Sequence, residues 1–484
     1  MNKYLDNKIN KQYVNIEKLE EEVSMYLWSY EAWSVMLVKK NIIKKEYAKE
    51  IFSIFLELEQ KKISYDDEQN HRGIESYIIN KLGTEKGGNL SVARTTITPY
   101  LRMEVRIPLL KLMCTIIELL NNLLYISEKY KEDIMPGYTH LAHAQPTTFG
   151  HYLLSVYDPL MRIFKNIESS YDSINMNELG CGALAGTSLK IDRDLPTKLL
   201  GFNSLVENAN DAVSITDCFV FAISNLSNMM SVVSRFSQDL NYWNTAEFDF
   251  LDVPRVMAKP SHSYMMPQKT SKNNGDLEDL RICTANVIGY LVATITNASR
   301  TSHADMHEMI YIHHPLLKSI SEVDKHLFKL SKNIMGIRTN KEKMLNITRE
   351  GFSCATELAF DIMRKKELDY RTAHNIVNTF VNYAIEKGQN ALNLDTSLLN
   401  IASKKIINKE LNLSEKDIKK SLDPQNFINK HNSKGGVNPK EVSRMIINRK
   451  KDITQIVNYN SLRVKKLLVA RKMLKKAMFD YINK

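Results

Sequence analysis

"ANDAVSITDCFVFAISNLSNMMSVVSRFSQDLNYWNTA", residues 209–246, reads as a long helix, and that reading decides the fold. No proline occurs from 197 to 253, and none lies between Pro315 and Pro424. Proline inside a helix breaks it and glycine weakens it. Only 12 prolines and 17 glycines occur in 484 residues, so long helices are expected throughout. Working outward, 101–130, 148–175 and 277–310 carry the same pattern, and such helices associate as a bundle. Upstream, 15–62 reads as two helices, with Val23, Leu27 and Tyr30, then Ile51, Ile54, Phe55 and Leu58, at helical spacing. Downstream of about 355 the pattern shortens, and "SLDPQ" and "KGGVNP" mark turns. The expected class is all-α, divided into an N-terminal helical domain (1–100), a central bundle domain (101–355) and a C-terminal helical domain (356–484).

The bulk numbers fit a soluble globular chain, with 43% apolar and 25% charged residues. The start, "MNKYLDNKIN", lacks the apolar core of a signal peptide. The longest apolar runs, such as "CFVFAI" at 218–223, are too short to span a bilayer. Five cysteines stand far apart without a CxxC, which suits buried or free thiols in a reducing cytoplasm. Much of the net charge of +11 lies in "RVKKLLVARKMLKKAMFDYINK", 463–484. Val464, Leu467, Leu468, Leu474 and Met478 share one helical face there. A charge run alone is weak evidence for a membrane or nucleic acid, so a terminal helix packed on the body is expected, with neither partner. The positive field would draw in an anionic small-molecule substrate.

Polar loops interrupt the helices at 85–96, 135–148, 180–194 and 259–281. "HSYMMPQK" places Ser263 six residues before Lys269, across a Met-Met-Pro turn. A loop serine is usually a turn residue, and as a catalyst it needs help to lose its proton. "GYTHLAHAQPTTFGH" holds His140, His143 and His151, natural proton carriers near neutral pH. "HADMHE" sets His303 and His307 one helical turn apart. The His140–His143 pair has no carboxylate or cysteine at ligand spacing, and "HADMHE" is not in the HExxH order, so no metal is expected. "GCGALAGT" (180–187) suits close backbone packing or a ligand approaching the main chain. No GxGxxG or GxxxxGKS suggests a nucleotide cofactor, and none is expected.

Taken together, the segments resemble the argininosuccinate lyase family of the fumarase/aspartase superfamily. The resemblance rests on "MPGYTHLAHAQPTTFGHYLL" (135–154), "LGCGALAGTSLKIDRDLPTKLLGF" (179–202), "NANDAVSITD" (208–217), "SYMMPQK" (263–269), "GFSCATELAFDIMRKK" (351–366) and "SLDPQ…GGVNP" (421–439). These matches run in order over roughly 65–440. The resemblance implies a three-domain helical subunit, a homotetramer with a twenty-helix core, and active sites shared between three subunits. It implies a C–N lyase that eliminates fumarate from an N-succinyl substrate. By the same resemblance Ser263 is the base and Lys269 neutralises developing charge. His140 pairs with Glu278, and Thr139, Arg94, Thr95, Gln145, Asn273 and His71 bind substrate.

The departures are specific. The family loop reads Gly-Ser-Ser-x-Met-Pro-x-Lys-Lys-Asn; here His262 replaces the Gly and Tyr264 the second Ser. A two-residue insertion, Thr270 and Ser271, aligns Asn273 and Glu278 with the family's Asn and Glu and restores "LEDLR" to register. Without it, Ser271 and Asp276 take those places. Ile97 stands for an Asn that contacts the succinyl part and offers no hydrogen bond. In the segment that grips the amino-acid arm, Tyr becomes Ser302, Gln becomes His307 and Lys becomes Ile310. At roughly 1–3 kcal/mol per unmade hydrogen bond, the change points to a different amine. The alternatives are argininosuccinate lyase itself and an inactive, crystallin-like structural homologue.

Overall fold

A computed structural model describes residues 3–22, 24–61, 73–95, 99–255 and 274–483. The chain opens with α1 (Lys3–Glu22), α2 (Met25–Lys39), α3 (Lys45–Lys61), α4 (Gly73–Leu82) and the short α5 (Thr84–Gly87). The first 61 residues therefore hold a further helix, already begun at Lys3, before the two expected. α6 (Tyr100–Lys129) runs into a hairpin, β1 (Ile134–Thr139) and β2 (Ala142–Thr148), and then α7 (Phe149–Ile174). A crossover follows with β3 (Met176–Asn177), α8 (Asp194–Leu199), β4 (Ser204–Leu205) and α9 (Ala209–Val213). α10 (Asp217–Trp243), β5 (Leu251–Asp252), α11 (Gly275–Arg300) and α12 (His314–Gly336) complete the bundle. Beyond it come β6 (Arg338–Thr339), α13 (Lys341–Glu350), α14 (Ala355–Lys366), α15 (Tyr370–Glu386), α16 (Leu398–Ile407), α17 (Glu415–Ser421), α18 (Pro424–Lys430) and α19 (Pro439–Ile482).

The fold is mostly all-α, as expected, with short strands as connectors. The stretch 209–246 is two helices, because the chain leaves helical geometry at Ser214 and resumes after Thr216. The helix expected over 277–310 ends at Arg300, where Thr301 turns extended (φ −91°, ψ 150°). The expected loop at 135–148 is an antiparallel hairpin.

α6, α7, α10, α11 and α12 pack side by side, and α19 lies along α6, α3 and α1. One large core joins the bundle to the N-terminal helices. α19 belongs to that core: Val464, Leu467, Leu474 and Met478 are buried, and the basic tail is a packed helix. Its fully buried Arg471 holds the carboxylates of Glu31 and Glu59, on α2 and α3. Removing Arg471 would leave the fully buried Glu31 carboxylate without its cation. A second, smaller core covers Cys354–Ile428 and includes Ile134 at the base of the hairpin.

Two helices, α6 and α11, are long and apolar enough to cross a bilayer by length and composition. In α6, 83% of the most apolar 18-residue stretch is buried; in α11 only 22% is. Ile282 and Val292 on α11 are each 60% exposed. A helix apolar nearly all round demands burial on more than one face.

Candidate active site

The hairpin is built around its turn. Thr139 faces Ala142 across two residues, His140 (φ 53°) and Leu141 (φ 61°). Positive φ at both positions is the signature of a type I′ turn, which Asn and Gly fill without strain. A side chain in this region costs about 1–2 kcal/mol per residue. Both residues are exposed at the tip, Leu141 at 85%. A bulge at Gly137 shifts the register; a Cβ there would come within 2.5 Å of the Gln145 carbonyl oxygen. Thr139 and Gln145 are exposed as well.

The base of the hairpin is held from three sides. Thr148 caps α7, its Oγ1 accepting from the His151 N–H at 3.1 Å. The His151 ring bridges Thr147 Oγ1 (3.2 Å) and the Gly435 carbonyl (3.0 Å). α13 and α18 pack on β1 and β2. His143 stands edge-on to Tyr138, with ring centroids 5.2 Å apart. A cavity of about 570 Å³ lies beneath the tip, with His140 and Leu141 in its wall.

The start of α11 reaches the same end of the bundle, where Ser237 near the end of α10 donates to the Leu277 carbonyl. Two carboxylates occupy its first turn. Asp276 is buried, paired with Lys329 at 3.2 Å and bonded by Asn333 at 3.3 Å. Glu278 is exposed.

Arg94 and Thr95 lie at the opposite end, just before α6. The Arg94 guanidinium stacks over Tyr30 at 4.3 Å. The Gly182 N–H donates to the Ala93 carbonyl at 3.3 Å, tying the glycine-rich loop to this segment. Arg193 secures that loop, donating to the carbonyls of Leu179, Glu178, Val206 and Glu207. Arg102 and Glu178 form a buried ion pair below. His303 Nε2 meets Ser214 Oγ at 3.3 Å, and the exposed His307 packs edge-on to Tyr311 at 5.4 Å. His313, which sequence reasoning did not single out, is buried with Nε2 on Glu104 at 2.7 Å.

α6 spans this separation: 30 residues at about 1.5 Å each is about 45 Å. One chain therefore brings Thr139, His140, Gln145 and Glu278 to one end and Arg94, Thr95 and His307 to the other. Ser263, Lys269, Asn273 and His71 lie outside the described residues, as do Ile97, His262, Tyr264, Thr270 and Ser271. Among the described residues no cluster of His, Cys, Asp or Glu is arranged to hold a metal. All five cysteines are free and buried, and burial pushes Cys114, Cys218, Cys283 and Cys354 up to about 12. Such thiols are unreactive.

The chain is a long helical bundle with a polar hairpin at one end and a glycine-rich loop at the other. A family model described as "Lyase" matches residues 11–289, and one described as "Argininosuccinate lyase C-terminal" matches 352–429. Argininosuccinate lyase of Methanothrix thermoacetophila is 32% identical over 423 residues, 86% of this chain and 85% of the relative. Argininosuccinate lyase 1 of Shouchella clausii is 31% identical over 424 residues, 85% of this chain and 84% of the relative. Two solved structures share the fold. EDDS lyase in complex with formate has a TM-score of 0.88 at 23% identity, covering 98% of this chain and 96% of that one. The 3-carboxy-cis,cis-muconate lactonizing enzyme of Pseudomonas putida has a TM-score of 0.67 at 15% identity, covering 90% and 97%. The chain belongs to the argininosuccinate lyase family of the fumarase/aspartase superfamily. It is a carbon–nitrogen lyase that releases fumarate.

Proposed function

We propose that the protein cleaves an N-succinyl amine other than argininosuccinate, releasing fumarate and that amine. The change of amine rests on Ser302, His307 and Ile310, which stand where longer polar side chains grip the amino-acid arm, and a working site is supported by the His140–Leu141 turn. Two exposed side chains held at positive φ store strain at a tip that makes no core contact, and such strain collects at functional sites.

The proton removed sits on the carbon beside a carboxylate and is very weakly acidic. In this reading Ser263 takes it, and Lys269 neutralises the aci-carboxylate that forms. The C–N bonding electrons leave with nitrogen, which is protonated, and the C=C bond of fumarate forms. Glu278 orients His140, as an acid does for a catalytic histidine. The exposure of Glu278 supports this, since Asp276 is already committed to Lys329. Arg94, Thr95, Thr139, Gln145, Asn273 and His71 hold the substrate's carboxylates, with Arg94 suited to bidentate pairing. His307 faces the amine side, where Ser302 and Ile310 stand in place of longer polar side chains.

The working unit is a homotetramer whose sites draw on three subunits. The separation of about 45 Å between the two residue sets supports this, as does the uncovered apolar surface of α11. The buried free thiols fit a reducing cytoplasm.

Fumarate release, followed by ultraviolet absorbance over a panel of succinyl-amines, tests the reading. Turnover of another member at least tenfold more efficient than that of argininosuccinate is expected. Ordinary lyase efficiency on argininosuccinate would replace it with argininosuccinate lyase itself, the reading that the relatives at 31–32% identity favour. Undiminished release by Ser263→Ala, with assembly intact, would remove the assigned base.

A further inference from the structure

The cavity under the hairpin has a composition that the reading above does not use. Its volume of about 570 Å³ is that of a small-molecule site. Tyr138, Tyr152, Tyr242, Trp243 and Phe248 line it, with Asp239 on the same wall. Among the described lining residues Asp239 is the carboxylate, and no lysine or arginine joins it. The rings support one another. Trp243 stands edge-on to Tyr152 at 4.6 Å, and Phe248 lies 6.2 Å from Tyr138 and 6.5 Å from Tyr242. The Tyr152 hydroxyl donates to Asp239 Oδ2 at 2.6 Å and fixes the carboxylate in place. Aromatic faces attract cations, and a nearby carboxylate adds a charge-assisted partner. The mouth carries His140 and Leu141, so an occupant lies beside the strained tip.

We propose that this aromatic cavity receives the amine side of the substrate and selects an organic cation, an amine whose arm carries an amidinium, guanidinium or ammonium on a flat or hydrocarbon frame. The inference rests on the lyase reading. It names the surface that holds the amine in place of the side chains exchanged for Ser302, His307 and Ile310.

Benzamidinium and its neutral isostere benzamide separate charge from shape. Of the three tryptophans, Trp28 and Trp33 are fully buried and Trp243 lines the cavity, so Trp243 is the fluorescence reporter. Benzamidinium should change the fluorescence saturably and bind at least tenfold more tightly than benzamide. Asp239→Asn should erase that preference, and Trp243→Phe should erase the signal. In turnover, Asp239→Asn should lower the ratio of kcat/KM for cationic over neutral succinyl-amines at least tenfold. If Asp239→Asn misfolds, Tyr242→Ala, at a partly exposed ring, should weaken benzamidinium binding several-fold. Equal binding of the two probes, or a preference that survives Asp239→Asn, overturns the inference, as does an unresponsive Trp243. Benzamidinium binding without release of fumarate from any succinyl-amine also overturns the substrate assignment. That result differs from a failed cavity, because it removes the proposed succinyl-amine substrate while leaving a cation site.

Discussion

The two ends of the bundle are built in opposite ways. The Arg94 end is anchored from inside, by the buried Arg102–Glu178 pair and by Arg193 spread over four carbonyls. The hairpin end is anchored at its base, by His151, α13 and α18, and is exposed and strained at its tip. Between them α6 buries side chains along nearly its whole length. The contrast separates the two sets of candidate residues, with the buried length of α6 between them. In the proposed assembly the two sets meet where copies of the chain run past one another.

The largest effect is expected where the copies would touch. Ile288→Glu with Val292→Glu puts charge on the apolar face of α11, and burying unpaired charge costs several kcal/mol per ion. Sedimentation should report smaller species, and fumarate release should vanish; an active tetramer would show that α11 faces water. Next, His140→Asn and Arg94→Gln should each lower kcat/KM by about 10²–10⁴. Mixing and reassembling the two inactive proteins should restore activity well above either parent, since a shared site can take His140 from one copy and Arg94 from another. No recovery on mixing would mean that each chain completes its own site. A smaller effect separates the two carboxylates of α11. Asp276→Asn should cost about 1–3 kcal/mol of stability by weakening a buried pair, whereas Glu278→Gln should lower kcat and leave the unfolding midpoint unchanged. The reverse outcome would put Asp276 in the working position.

Much of this was legible in the sequence, and the rest failed for physical reasons. Pro-free apolar stretches predict the long helices, although Pro108 and Pro159 sit inside α6 and α7. The hairpin was hidden because its turn carries His140 and Leu141, which give no Asn-Gly signal. α11 was legible as a helix, but its surface is not that of a helix in a finished core. The candidate site residues were read from ordered motifs; the division of the described ones between two ends was not legible, because sequence order does not report which helix end a loop occupies. The cavity was invisible, since its rings come from residue 138, residue 152 and residues 242–248, stretches that meet only when α7 packs on α10.

The smallest effect turns the comparison of ends into a comparison of acid responses. The small C-terminal unit, which grips the hairpin, contains Asp361. Burial raises this carboxyl, but hydrogen bonds from Ser421, Arg364 and Lys430 outweigh burial and hold it at about 2. A carboxyl depressed below its unfolded value near 3.9 stabilises the fold above that value. That stability is lost as pH falls through about 2, because the unfolded state binds the proton first. Glu178 at the other end has the opposite sign. Burial raises it from its ordinary value even beside Arg102, so the folded state binds its proton first and acid does not loosen the fold through this group. Hydrogen-exchange labelling between about pH 4 and 2 should therefore show α14, α17 and α18 losing protection before the segment that carries Glu178. Asp361→Asn should flatten that pH dependence by a modest amount, since solvent screens part of the pairing. Loss of protection at the Glu178 segment first, or at both places together, would break the assignment of the acid-sensitive lock to the hairpin end.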